Sequence, residues 1–355
     1  MSQEAHVLFE INHSIGWITL NRPKALNALS YEMVVEIEKK LQEWKINDDV
    51  LLVCLNGSGG KALCAGGDIR ALYVENQAHG DAQELARTYL SAEYKMDHLI
   101  HTFSKPIVVI MDGFVMGGGV GISIGCSQRL ITEKTKWAMP EMNIGFFPDV
   151  GASYFLNRMP GYVGRYLALT SETIQAADIL YIDAADWYLT SDSLADFLSS
   201  LRLQAWQSCS VKETLDELIR SYVGSCPDLS YLQENQNKID QHFGYDQVEE
   251  IMASLEAASL EGCDWAREKL GILQQKSPTS LKVTLEQIIR GKSLSLAECF
   301  SMEVELGVQF MRHHDFFEGV RAVLVDKDRN AKWVPSRLED VTAGEVDGYF
   351  PLHKR

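Results

Sequence analysis

Pro106-Ile107-Val108-Val109-Ile110-Met111-Asp112-Gly113-Phe114-Val115-Met116-Gly117-Gly118-Gly119-Val120-Gly121 is the stretch that decides the fold. Its first third is short, β-branched and continuously apolar, as a strand buried on both faces of a sheet tends to be. A glycine cluster and then helix-compatible sequence follow. The same order recurs upstream, where Val50-Leu51-Leu52-Val53-Cys54-Leu55 precedes Cys64-Ala65-Gly66-Gly67-Asp68-Ile69-Arg70. Glycine lets backbone N–H groups approach a ligand oxygen, so two such helix starts facing one point would offer two aimed amides to a developing oxyanion. A dinucleotide or phosphate cradle is the competing reading. It is disfavoured because position 122 is isoleucine, which breaks Gly-x-Gly-x-x-Gly, and no Gly-Lys-Ser/Thr follows. Close helix packing alone would also explain the glycines.

Downstream, Glu141 and Asp149 stand in Met139-Pro140-Glu141-Met142-Asn143-Ile144-Gly145-Phe146-Phe147-Pro148-Asp149-Val150-Gly151, where nearly everything else is apolar, glycine or proline. Burial raises a carboxyl pKa and would suit the pair to proton transfer or nucleophilic attack near neutral pH. The plainer reading makes Glu141 a turn cap after Pro140 and Asp149 the cap of a helix starting near Gly151. Cys64, beside the first glycine turn, invites a nucleophile reading, but no histidine is near it in sequence and small buried cysteines are common.

With 355 residues and 46% hydrophobic content, the chain can bury a substantial core and is longer than one typical domain. Its net charge of −16 argues against nucleic acid and anionic membranes as partners. An anionic ligand would therefore need a local basic patch. The nine histidines suggest no metal site, and neither a metal nor a separate cofactor is expected. Seven dispersed cysteines without Cys-x-x-Cys point to a reducing compartment. The start, Met1-Ser2-Gln3-Glu4-Ala5-His6, shows no basic or amphipathic leader and leads to the expectation of a cytoplasmic protein.

Val7 to Ile11 and Ile15 to Leu20 alternate around Asn12-His13-Ser14 and read as a hairpin. Ser30 is a candidate N-cap for a helix striped by Val34, Ile37, Leu41 and Trp44. Strand 50–55, helix 82–102, strand 107–111, helix 118–126 and strand 128–132 then alternate, implying a parallel sheet with right-handed crossovers. From about 195 helical patterns dominate, including 248–273 and the run after Ser277-Pro278. The reading is an α/β core over 1–195 and a mainly helical region over 196–355.

These motifs resemble the crotonase, or enoyl-CoA hydratase/isomerase, superfamily. The resemblance runs from Leu20-Asn21-Arg22-Pro23-Lys24-Ala25-Leu26-Asn27-Ala28-Leu29 through both glycine clusters and Met139-Pro140-Glu141 to Asp315-Phe316-Phe317-Glu318-Gly319-Val320-Arg321-Ala322. It implies a spiral of ββα units and an acyl-CoA substrate whose thioester carbonyl is polarised by the amides of Gly67 and Gly118. Hydratases of this superfamily carry a second glutamate three residues after the oxyanion glycine, a position that is Gly121 here. Pro-Glu followed by Phe-Pro-Asp-Val-Gly instead resembles the 3-hydroxyisobutyryl-CoA hydrolases, which serve valine breakdown. The implied catalytic acids are Glu141, as attacker or base, and Asp149, as its companion.

By the same resemblance, CoA would lie along Lys24, Ala25 and Leu26 and along Lys61, Ala65, Gly66, Asp68, Ile69 and Arg70, with Gly117 and Phe146 also binding substrate. Surface lysines are mostly solvated and Asp68 could simply cap a helix. Tyr94, Phe146, Phe147 and Tyr154 could equally be pocket or core. The alternatives are an enoyl-CoA hydratase or isomerase and a non-catalytic acyl-CoA-binding protein. Superfamily members usually assemble as trimers, so a homo-oligomer is an open expectation.

Overall fold

Both apolar runs become strands of one sheet in the computed structural model, which describes residues 5–70, 73–74, 76, 80, 82–207, 209–226 and 228–351. Strands β1 (Val7–Asn12) and β2 (Ile15–Leu20) form the expected antiparallel hairpin, with Val7 opposite Leu20 and Asn12 opposite Ile15. Strands β3 (Leu52–Gly57), β5 (Ile107–Met111), β7 (Gln128–Ile131) and β9 (Trp187–Tyr188) then add in parallel, giving the order β1-β2-β3-β5-β7-β9. The first of these begins two residues later than the apolar run suggested and continues through Asn56 and Gly57.

Sequence reading missed the second sheet. Strands β4 (Ala62–Cys64), β6 (Phe114–Met116) and β8 (Lys136–Ala138) pair in parallel in the order β4-β6-β8. At three residues each they are too short for an alternating pattern to show. Each follows a strand of the large sheet, so β3-β4, β5-β6 and β7-β8 are successive turns of a spiral. Helix α2 (Ala82–His101) follows the first turn and α3 (Gly118–Ile124) the second.

Helices cover the large sheet on both faces, which explains its uninterrupted apolar strands. Ile15, Trp17, Leu52, Cys54, Val108, Ile110 and Leu130 pack on one side with Phe197 and Leu201 of helix Ser191–Leu203 and with Leu215 and Ile219 of helix Val211–Arg220. Ile18, Val53, Leu55 and Ile107 face Ile37 and Leu41 of α1 (Tyr31–Lys45), together with Ile100 and Ile122. Ser30 caps α1 as expected, its side chain accepting from the Met33 N–H.

Two compact units interleave along the chain. The first comprises 1–67, 92–138 and 173–233 and holds both sheets; the second comprises 68–91, 139–172 and 234–355. Within the second, α4 (Pro278–Gly291) starts at the N-cap Ser277, and α5 (Leu296–Phe310) starts with a Ser295/Glu298 capping box. The helical stretch expected over 248–273 is two helices, Val248–Leu260 and Asp264–Leu273. Gly262 between them adopts φ +95°, a left-handed conformation that ends a helix. Among the described residues no helix is long and apolar enough to cross a membrane.

Candidate active site

The first unit brings the two glycine turns together. A Cβ placed on Gly118 would lie 3.2 Å from the Gly67 nitrogen, and one on Gly66 would lie 3.4 Å from the Met116 carbonyl and 3.9 Å from the Gly118 nitrogen. Gly66 adopts φ +114° and Gly117 φ +51° with ψ −119°, conformations that side chains disfavour. Among the described residues, neither the Gly67 nor the Gly118 N–H has a hydrogen-bond acceptor. Two such amides at adjacent helix and strand ends form a donor pair suited to a developing oxyanion.

Around this pair the candidate CoA-binding stretches meet. Asn27 is fully buried; its side-chain amide donates to the Ser58 and Ala62 carbonyls at 3.0 and 2.9 Å while its oxygen accepts from the Arg22 N–H. The Ala65 N–H reaches the Leu26 carbonyl at 3.0 Å, and the Leu29 N–H reaches that of Gly66 at 2.9 Å. The turn bearing Lys24, Ala25 and Leu26 is thereby fixed against Ala65 and Gly66, with Lys24 and Lys61 exposed. Asp68 precedes a helical start at Ile69 and Arg70; all three belong to the second unit.

A third acid escaped the sequence reading. Glu93, only 2% exposed, puts Oε1 2.6 Å from where a Gly118 Cβ would sit. Its signal was present: Ala86, Leu90, Glu93, Asp97 and Ile100 form one buried helical stripe, so two acids occupy inward positions of α2. The surroundings of Cys64 disfavour a thiolate. Burial, reinforced by Glu93 and Asp97, pushes its thiol up to about 12.

In the second unit, Glu141 opens a 3-10 turn, Glu141–Ile144, which closes at Gly145 with φ +64°. Asp149 follows Pro148, and both acids are more than nine-tenths buried. The helix-cap reading of Asp149 loses ground, because Glu303 of α5 takes the helix-start amides. Its carboxylate accepts from the Gly151 N–H at 2.7 Å and the Ser153 N–H at 2.9 Å, while the Ala152 N–H goes to the Asp149 backbone carbonyl. Gln287 of α4 holds the other side, donating to the Pro148 carbonyl at 2.6 Å and the Ser153 hydroxyl at 2.9 Å. Burial pushes Glu303 up to about 8 against the pull of these amides, with the charge of Asp149 adding to the rise. Phe146 and Phe147 lie inside an aromatic cluster, Phe146 being 5.3 and 5.2 Å from Phe310 and Phe316. Tyr94 is buried, whereas Tyr154 is half-buried beneath the Arg158 guanidinium.

A ββα spiral with paired glycine amides at its turns defines a crotonase-fold protein. The chain belongs to the enoyl-CoA hydratase/isomerase family, whose model matches residues 15–350. It is 42% identical to the mitochondrial 3-hydroxyisobutyryl-CoA hydrolase of Xenopus laevis, over 94% of this chain and 86% of that one. It is also 40% identical to the small ribosomal subunit protein mS47 of Neurospora crassa, over 95% of this chain and 69% of that protein. A carnitinyl-CoA dehydratase from Mycobacterium thermoresistibile superposes with a TM-score of 0.90 at 36% identity, covering 99% and 97% of the two chains. The expectation of a cytoplasmic protein is overturned, since the hydrolase relative is mitochondrial by name.

Proposed function

We propose that this protein hydrolyses the thioester of a short β-hydroxyacyl-CoA, with 3-hydroxyisobutyryl-CoA as substrate, releasing CoA and the free hydroxy acid. The observation that carries this is the pair of acceptor-free amides at Gly67 and Gly118 in a chain that also keeps Glu141 and Asp149 buried. The thioester oxygen accepts from both amides, which stabilise the tetrahedral oxyanion; one such donor is worth about 10²- to 10³-fold in rate. Glu141 either takes a proton from the attacking water or attacks the carbonyl itself, and Asp149 orients water or the substrate hydroxyl. Collapse breaks the C–S bond, and the CoA thiolate takes up the proton that the water gave Glu141; on the covalent route a water then opens the Glu141 anhydride, freeing the hydroxy acid and supplying that proton. CoA belongs to the substrate, and the reaction needs no other group.

Two neighbouring readings have specific support. The dehydratase structure favours hydration chemistry, and the ribosomal relative favours a fold kept without catalysis. Against hydration stands Gly121, which supplies no second carboxylate three residues after Gly118. Thiol release from 3-hydroxyisobutyryl-CoA should fall ~10²- to 10⁴-fold in Glu141→Gln and in Asp149→Asn. Near wild-type release by either variant removes that residue from the mechanism. Loss of crotonyl-CoA absorbance without free thiol would establish hydration, and binding of CoA esters without turnover would establish the silent reading.

A further inference from the structure

Lys276 ends the segment before α4 with its ammonium buried, the residue being only 8% exposed. Its hydrogen-bond partner is the neutral Asn143 Oδ1. Among the described residues no carboxylate lies within ion-pair distance of it. Glu172 attracts it from further off, but that carboxylate is engaged by Lys269 and the Tyr166 hydroxyl. A buried ammonium without a counter-ion is expensive, and burial accordingly pulls it down to about 8.

The same ammonium borders a cavity of about 650 Å³ in the second unit, lined also by Gln274, Arg329, Asn330 and Trp333 and by no acid. Arg329 adds a permanent positive charge that is in no ion pair among the described residues, and its backbone is fixed by an N–H bond of 3.0 Å to the Ala322 carbonyl. The nearby acids Glu318, Asp326 and Asp328 are held by Arg321. The cavity thus offers two cations and amide side chains with no competing carboxylate, on a protein that is otherwise strongly acidic.

We propose that this cavity binds the phosphate group of a phosphate ester, with Lys276 and Arg329 supplying the charge. Lysine meets such a group as a point charge and arginine as a planar fork, and the cavity is large enough for the organic portion beside the phosphate. The phosphate has two possible sources, the CoA carrier of the substrate or a free phosphate ester acting as effector. This assignment does not rest on thioester hydrolysis.

Calorimetric titration of the full-length protein with inorganic phosphate tests it without any turnover. Binding should weaken roughly tenfold, equivalent to ~1.4 kcal/mol, in Lys276→Met and likewise in Arg329→Ala. Lys276→Met removes the buried charge while shortening the side chain by only one heavy atom, so a Tm no lower than wild type will certify the fold. Displacement of phosphate by free CoA assigns the site to the carrier; undiminished phosphate binding in saturating CoA assigns it to a free ester. Absence of binding, or equal affinity in wild type and both variants, overturns the proposal.

Discussion

Glu303 takes two backbone amides yet sits where no water reaches it, so its proton and its hydrogen bonds compete. Burial wins, and its carboxyl is held near 8. A folded-state value above the unfolded carboxyl value means that its stabilising contribution is complete below about pH 4.5 and is lost as pH rises through about 8. Glu303→Gln carries no ionisable proton, so the wild-type Tm should fall relative to this variant between about pH 4.5 and pH 8 and level off above that; parallel Tm curves would contradict the assignment. Glu303→Ala leaves two buried N–H groups without an acceptor, at about 1–3 kcal/mol each. It should lower Tm and cut kcat by roughly 10²-fold through displacement of Asp149, with KM nearly unchanged. Glu303→Gln should recover most of the kcat, because an amide oxygen can still accept one of the two bonds.

At the scale of elements, neighbouring glycines separate chemistry from packing. A methyl on Gly119 would come within 2.2 Å of the Cys64 carbonyl, which belongs to β4 and cannot move away cheaply. Gly119→Ala should therefore lose ~1–3 kcal/mol, read as a lower Tm. A methyl on Gly118 instead meets the tip of the Glu93 side chain, with the nearest backbone atom, the Gly67 nitrogen, at 3.2 Å. Gly118→Ala should lose less Tm than Gly119→Ala while losing more thiol release; the reverse pattern would exchange their roles. The hairpin, the parallel strands β3, β5 and β7 and α1 were legible in the sequence because each carries a pattern long enough to repeat, whereas the two-residue β9 was not. Strands β4, β6 and β8 were not, since three residues cannot display a period. Glu93 and Asp97 were overlooked for another reason: a helix stripe is read from its apolar members, and acids on it register as interruptions. Glu141 and Asp149 stood out because their neighbours are almost all apolar. Glu303 and Gln287, which seat the Asp149 turn, lie more than 130 residues away, and no local pattern links them to it.

For the whole molecule, the dominant electrostatic fact is a net charge of −16 acting on a polyanionic substrate. Exposed charges are screened over about 8 Å at physiological ionic strength, so the general repulsion should weaken with salt faster than close contacts do. KM for the CoA thioester should fall as salt rises from roughly 10 to 150 mM, whereas a rise would mean that exposed lysines such as Lys24 and Lys61 dominate capture.

The bonds from Glu303 to Gly151 and Ser153 also have a temporal side. A ribosome threading out this chain delivers both glycine turns, Glu141 and Asp149 well before Glu303, so a nascent polypeptide carries the candidate acids long before the carboxyl that seats the turn after Asp149. A product cut short before Glu303 would leave the Gly151 and Ser153 amides without that acceptor, and its thiol release is expected to fall at least as far as that of Glu303→Ala although it contains every candidate residue for touching the thioester.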